Sequence, residues 1–538
     1  MLATVSSATL VGVDGHAVSV EVHVSNGLPG FRVVGLPDTS CREARDRVRA
    51  SLISSGFSWP QKRITVNLAP SGLRKAGSGL DLAVALGVLA ADGQIAAGPL
   101  AGSAFIAELG LDGSLRRVPG ILPLVAAAGE PGVVVPPSCG REACLVQKGL
   151  TRTAPTLRAL VQALRGQCPW PELPPAVQGP DDPPAPDMAE VRGQPLGRQA
   201  LEVAAAGGHH LLMVGPAGAG KTMLATRLPG LLPPLSPDQA LEVAMVHSAA
   251  GLDVAAGGLC LRPPFRSPHH SASAVSLIGG GGARLRPGEI SCAHNGVLFL
   301  DELAEFPGGV LDNLRQPLEE GRVVVCRASG TVAFPARFML VAAMNACRCD
   351  ADGSPGSCRC SSAARARYVA RLSAPLLDRF DLRVRVPRPL VEDLLRPGGK
   401  PTGDGLAGDG PAGDGTAEPS AAVAGRVAQA RRRARQRGPS ANAQLPAWQL
   451  DDLAPVSAGG RRLLERRLRE GRLSARGLDR VRRVALTVAD LAGEEPPLRE
   501  EHILVALALR SPGEEVAGGG LVPAATYGVA TGPGALYS

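Results

Sequence analysis

Read from its sequence, this chain is an α/β protein in three parts: an α/β sandwich, a nucleotide-binding core built on a parallel sheet, and an all-helical unit. Three patterns say so. A glycine-rich turn, 215–222, joins an apolar strand to a helix, β-patterned runs alternate with helical ones before it, and Leu and Val recur at helical spacing after it. A chain of 538 residues has the length of about three domains, which excludes a single-domain reading.

The first part, residues 1–168, sets strand patterns such as 16–25 and 31–36 beside helical patterns at 42–56 and 78–93. Residues 169–187 follow with eight prolines and little that can pack, a stiff linker. The core occupies 188–395. Residues 396–420 repeat Gly-Asp-Gly three times without apolar periodicity and are expected to be disordered. The helical unit covers 421–512, and 513–538 form a flexible Gly/Ala-rich tail.

Charge and composition exclude several classes. The net charge of +8 is modest for this length, and residues 421–512 carry an excess of that same size. Only five basic residues are lysines, an Arg bias that codon usage explains as well as nucleic-acid binding does. No apolar run reaches the roughly 18 residues a bilayer span requires, and the N-terminus lacks the basic region of a signal peptide. Eleven cysteines in so long a chain are no disulfide framework, so the expectation is a cytoplasmic protein with no membrane partner.

The nucleotide site rests on Gly215, Pro216, Ala217, Gly218, Ala219, Gly220, Lys221 and Thr222, a G-x-x-x-x-G-K-T turn between strand 211–214 and a helix. Backbone amides of such a loop curl around phosphate oxygens, Lys221 neutralises the β and γ oxygens of ATP, and the Thr222 hydroxyl reaches Mg²⁺. Downstream, the apolar strand 297–300 delivers Asp301 and Glu302. One carboxylate for the metal and one to polarise water are what hydrolysis needs, so Asp301 is read as the Mg²⁺ residue and Glu302 as the base. A third strand ends in Asn345, placed to bond the γ-phosphate or the attacking water. Arg379, just before another strand, is a candidate arginine finger.

Four thiols crowd the segment after Asn345: Cys347, Cys349, Cys358 and Cys360. They read as a candidate structural Zn²⁺ site, with free thiols or a redox pair as the alternatives. The pairs His209-His210 and His269-His270 have no acidic or cysteine company at ligand spacing and read as structural or subunit-interface residues.

Together the phosphate loop, LFLDEL, Asn345, LLDRFD and LSARGLDRVRRVALTVADL resemble the AAA+ ATPases of the Mg-chelatase-like group, specifically the ComM (YifB) type. Collinear stretches such as FRSPHHSASAVSLIGGGG and GLPDTSCREARDRVRASL extend the resemblance over nearly all of the chain outside linkers and tail. It implies a ring, expected to be a hexamer, with ATP between subunits. Arg379 then corresponds to a finger reaching the neighbour's nucleotide, with Arg371 as fallback, and Arg476 is similar to the sensor-2 arginine of an α-helical lid. The segment SLIGGGGARLRPGEIS and a hairpin at about 322–327 and 331–335 match elements that line the pore in related helicases. Arg284, Arg286 and Arg327 are the phosphate-contact candidates there, with a solvated face as the alternative.

The N-terminal domain resembles the Lon-protease type of fold. Gly79 stands where that family's nucleophile is expected, with Ser78 one position away, and Leu122 or Leu124 where its lysine is expected, so the domain is read as noncatalytic. The expected function is an ATP-driven motor on DNA, by resemblance a branch-migration helicase in recombination and natural transformation. The rivals are a chelatase motor subunit or protein-remodelling ATPase, disfavoured because chelatase likeness is expected only in the later part of the chain, then a Lon-like protease, and a nucleotide-gated scaffold.

Overall fold

The computed structural model describes residues 1–146, 150–173, 185–252, 254, 259–281, 285–327, 330–347, 349, 358, 360–395 and 418–510. The first part is organised by one seven-stranded mixed sheet. In spatial order its strands are Gly30–Val34, Arg63–Ala69, Asp14–Ser25, Leu2–Val11, Ser103–Phe105, Gly132–Val135 and Leu150–Thr153. The two long strands pair antiparallel in register from Leu2↔His23 to Val11↔Asp14, and the three on the far side run parallel. Helices Thr39–Ser54, Asp81–Ala91 and Leu157–Leu164 cover one face, and Ile121–Ala127 with Gly140–Cys144 covers the other. Asp81–Ala91 is apolar nearly all round, as a helix buried on the sheet should be.

Where a Lon-type enzyme would need a Ser-Lys dyad, the described residues form none. Ser78 Oγ donates to the Glu108 carboxylate, Leu122 and Leu124 are buried core, and the Lys75 ammonium donates to the Pro70 carbonyl.

The core sheet has five strands, all parallel, in the order Phe265–Arg266, Val297–Leu300, Met339–Met344, Leu211–Val214, Leu382–Arg385. Successive side chains point to opposite faces, and both faces are covered. Met213, Phe299 and Val341 enter one hydrophobic cluster, whereas Leu212, Leu298 and Leu340 enter the other. That double burial is why these strands are continuous apolar runs in sequence. The first cluster includes helices Pro195–Gly207 and Lys221–Leu231 and continues into the C-terminal helices, so core and helical unit share one interior.

Those C-terminal helices are Ser420–Gln436, Ala458–Arg469, Ala475–Ala492 and Glu500–Ala508, with shorter turns between them. Ser420, assigned to the linker by sequence, opens the first of these, and its backbone N–H donates to Asp187 Oδ1 over 2.8 Å. The two pieces of chain that enter the core and the helical unit are thereby fastened together. The tail at 513–538 and most of both linkers lie outside the described residues. No described helix is long and apolar enough to cross a membrane.

The N-terminal domain docks on the core at two places. Gly120 N–H donates to Ser248 O over 2.8 Å, and Ser248 Oγ donates to the buried Glu142 carboxylate, which also receives Arg117. Elsewhere the turn at Gly12, with φ +68°, lies against Val332 and Phe334 of the hairpin formed by Arg322–Arg327 and Gly330–Pro335. A Cβ on Gly12 would fall 2.1 Å from Val332 Cγ1, so the turn needs glycine for its conformation and for this close approach.

Candidate nucleotide site

In an open parallel sheet the ligand site lies beyond the carboxyl ends of the strands, and this is where the sequence candidates converge. Leu211–Val214 leads into the phosphate loop, Val297–Leu300 into Asp301, and Met339–Met344 into Asn345. Pairing of Val214 with Met344 and Leu300 with Ala342 sets these three strand ends side by side. Gly215 lets the loop leave the sheet: a Cβ there would lie 2.0 Å from the Val386 carbonyl oxygen.

Lys221 is 8% exposed. Its ammonium donates to Gly215 O and Pro216 O at 2.7 Å each and to Asn345 Oδ1 at 3.0 Å, so the loop lysine and the strand-end amide meet. Thr222 Oγ1 donates to Asp301 Oδ2 over 2.6 Å, which puts the two expected Mg²⁺ residues in contact. The other Asp301 oxygen accepts the Glu302 N–H at 2.9 Å. Glu302 holds φ +51°, a left-handed conformation that costs a non-glycine residue roughly 1–3 kcal/mol and is found mainly where function demands it.

Two contributors were not legible as site residues. His270 stands 2.9 Å from Glu302 Oε2 through Nδ1, with the His269 ring 4.1 Å from its own, centroid to centroid. The sequence placed this pair among structural or subunit-interface residues; His270 reaches Glu302 because strand Phe265–Arg266 pairs beside Val297–Leu300 and carries the following segment to the same edge. Gln194, with φ +59°, donates from Nε2 to Ala219 O at 2.9 Å, and its Oε1 is buried without a partner among the described residues. That orphaned acceptor beside the loop suits a ligand carrying donors, as a nucleotide base does.

The candidate arginines lie elsewhere. Arg379 pairs with Glu319, and its pKa is pushed down by burial and by the nearby charges of Arg480, Arg476 and Arg315. Arg476 is exposed in the first turn of Ala475–Ala492. Arg371 donates to Ala304 O at 3.1 Å and pairs with Glu305 at 3.0 Å. Among the described residues none of the three hydrogen-bonds to the phosphate loop, Asp301, Glu302 or Asn345 of its own chain.

His209 and His210 are structural, as expected. His209 bonds Thr487 Oγ1 at 2.8 Å, and His210 Nδ1 accepts the Leu340 N–H at 3.0 Å. Burial pulls the His210 pKa down to about 4. Burial raises the neighbouring Asp381, yet the His209 bond and the charges of His209 and Arg480 outweigh it and hold that carboxyl below its usual range.

On the pore-type elements, Gly279–Gly280 pairs antiparallel with Arg286–Pro287, and Arg327 Nη2 comes within 3.8 Å of the Cβ position of Gly280. Arg286 and Arg327 are exposed, whereas Arg284 lies outside the described residues. The sulfurs of Cys347, Cys349, Cys358 and Cys360 all lie within 4.8 Å of one another.

Three family models match the chain. "Magnesium chelatase, subunit ChlI" covers 187–394, "Subunit ChlI of Mg-chelatase" covers 20–138, and "Magnesium chelatase, subunit ChlI C-terminal" covers 417–510. The chain is 42% identical over 520 residues to the Haemophilus influenzae competence protein ComM, spanning 95% of this chain and 97% of that one. It belongs to the Mg-chelatase-like family of ComM and YifB. An uncharacterized Mycobacterium tuberculosis protein is 44% identical over 516 residues, covering 94% of this chain and 98% of its own. Escherichia coli YifB, also described as uncharacterized, is 40% identical over 515 residues, with 95% and 97% covered.

The match at 20–138 corrects one expectation. A model described by the chelatase subunit covers part of the N-terminal domain, so chelatase likeness is not confined to the later part of this ComM/YifB-type chain. The mixed α/β architecture and its parallel core sheet agree with an AAA+ Mg-chelatase-like fold.

Proposed function

We propose that this protein is a cytoplasmic AAA+ ATP hydrolase that works on DNA as a ring, a hexameric branch-migration helicase in recombination of incoming DNA. The observation that carries the ATPase part is the convergence of Lys221, Thr222, Asp301, Glu302 and Asn345 at one edge of the core sheet.

In this reading the phosphate oxygens of ATP take the place that Gly215 O, Pro216 O and Asn345 Oδ1 hold around the Lys221 ammonium. The Thr222 hydroxyl and Asp301 carboxylate fit Mg²⁺, which supplies charge neutralisation at the β and γ phosphates when bound. Glu302 takes a proton from the attacking water as its oxygen bonds to the γ-phosphorus and the bond to the β-phosphate oxygen breaks, leaving ADP and phosphate. Asn345 orients that water or the γ-phosphate. Arg379 and Arg476 complete the site from a neighbouring subunit and lid. Among the described residues Arg379 pairs with Glu319 and makes no hydrogen bond to its own chain's phosphate loop, which a finger serving a neighbouring subunit requires.

The DNA part is supported by exposed Arg286 and Arg327 on adjacent elements, by the arginine excess of the helical unit, and by a relative named a competence protein. A chelatase-type or protein-remodelling motor remains the second reading, favoured by the names of all three matching family models. ATP-dependent migration of a labelled four-way junction decides between them. Migration by the wild type and none by Lys221→Ala supports the DNA reading, whereas ATP turnover with no action on any junction or forked DNA supports the second.

A further inference from the structure

We propose that Cys347, Cys349, Cys358 and Cys360 bind one structural Zn²⁺ that fixes the strand end presenting Asn345. The zinc site stands on its own geometry; its role in presenting Asn345 rests on the ATPase reading above.

The four sulfurs come from two short segments yet meet at one point. Cys358 Sγ lies 3.4 Å from Cys347 Sγ and 3.5 Å from Cys349 Sγ, and all four ligand atoms fall within 4.8 Å of one another. A tetrahedral zinc with bonds of about 2.3 Å spaces its sulfurs about 3.8 Å apart, whereas a disulfide brings two to about 2.05 Å. The contacts match the first arrangement. Thiols are weak donors and acceptors, so hydrogen bonding among them is a poor reason to gather four. A closed set of four thiolates leaves no open position for substrate, so the metal is structural.

Its placement gives it a task. Cys347 is two residues beyond Asn345 and 4% exposed, and Cys360 directly precedes Ser361, the N-cap of helix Ser362–Val369. Ser361 Oγ accepts the Ala364 N–H at 3.2 Å, and Tyr368 on that helix is buried in the same hydrophobic cluster as Met344, the residue before Asn345. A metal between the two cysteine pairs therefore ties the end of strand Met339–Met344 to the start of the helix. Asn345 is held between them, with its amide oxygen on the Lys221 ammonium.

The test starts from full-length protein purified under reducing conditions without added metal. Elemental analysis should find one zinc per chain, and native thiol titration should find four cysteines that react only after the zinc is released. Cys349→Ser combined with Cys358→Ser should lose the metal, while Cys349→His, which supplies another zinc ligand, should keep it. Binding of a fluorescent ATP analogue should persist in the double serine variant while kcat falls roughly tenfold. Metal-free wild type with four freely reactive thiols, stoichiometric iron in place of zinc, or disulfides in the reduced preparation would each overturn the site. A zinc-free variant with unchanged kcat would overturn the positioning role. Zinc present in a protein that never hydrolyses ATP would leave the metal site standing and refute the ATPase reading instead.

Discussion

His270 Nδ1 lies 2.9 Å from Glu302 Oε2 at the carboxyl edge of the core sheet. The carboxylate read as the base is thus held by a side chain from the neighbouring strand's continuation, on a backbone already in the left-handed region. Removing this partner in His270→Ala should lower kcat for ATP roughly 10- to 100-fold, because a misdirected carboxylate loses its line to the water. KM for ATP should stay near the wild-type value, since the phosphate loop is untouched. Unchanged kcat would show that His270 takes no part in aiming Glu302.

Lys221→Ala and Glu302→Gln should separate binding from turnover. The first loses the only ammonium in the loop and should fail to bind ATP at concentrations that saturate the wild type. The second keeps the hydrogen-bonding shape but cannot accept a proton, so it should bind ATP normally and turn over at least about 100-fold more slowly. Equilibrium binding and steady-state hydrolysis on the same preparations distinguish the two. Wild-type turnover by Glu302→Gln would refute its assignment as base.

Arg379 pairs with Glu319 in its own chain, which leaves it away from its own phosphate loop. If it serves a neighbour, Arg379→Ala should retain ATP binding and lose about 10³-fold or more in kcat. Mixing it with Glu302→Gln should then restore part of the activity, because some interfaces combine an intact Glu302 with an intact Arg379. Mixtures no more active than their components would place the arginine outside any shared site.

Much of this site was legible because phosphate chemistry imposes a strict local pattern. A glycine turn with Lys221 and Thr222 after an apolar strand, and acids at the end of another, leave few alternatives. The double-faced burial of the strands also declared itself, since each apolar run had to satisfy two layers. What could not be read was lateral order in the sheet. Only the pairing of Phe265–Arg266 beside Val297–Leu300 brings His270 to Glu302, and neither residue's local sequence signals it. Gln194 escaped for the same reason, as its contact with Ala219 crosses from a turn before a helix to a distant loop. The shared interior of core and C-terminal helices was likewise hidden behind the long Gly/Asp-rich segment between them.

Burial lowers the His210 pKa to about 4, so stability should depend on acid in a defined window. Above the unfolded value of about 6.5 both states are neutral at this position and nothing is lost. As pH falls from there towards 4 the unfolded chain takes up a proton that the folded chain refuses, and up to about 3 kcal/mol of stability should disappear. His210→Gln should flatten this part of the curve in denaturant unfolding at pH 7, 6 and 5. An identical pH dependence in the variant would assign the effect to other groups.

The most direct test of a DNA-driven ATPase is the hydrolysis rate without DNA, with single-stranded DNA and with a four-way junction, each at two salt concentrations. The account predicts strong stimulation by DNA that weakens steeply as salt rises, because phosphate contacts release counterions, and its loss in Lys221→Ala. A rate indifferent to every DNA at low salt would contradict it.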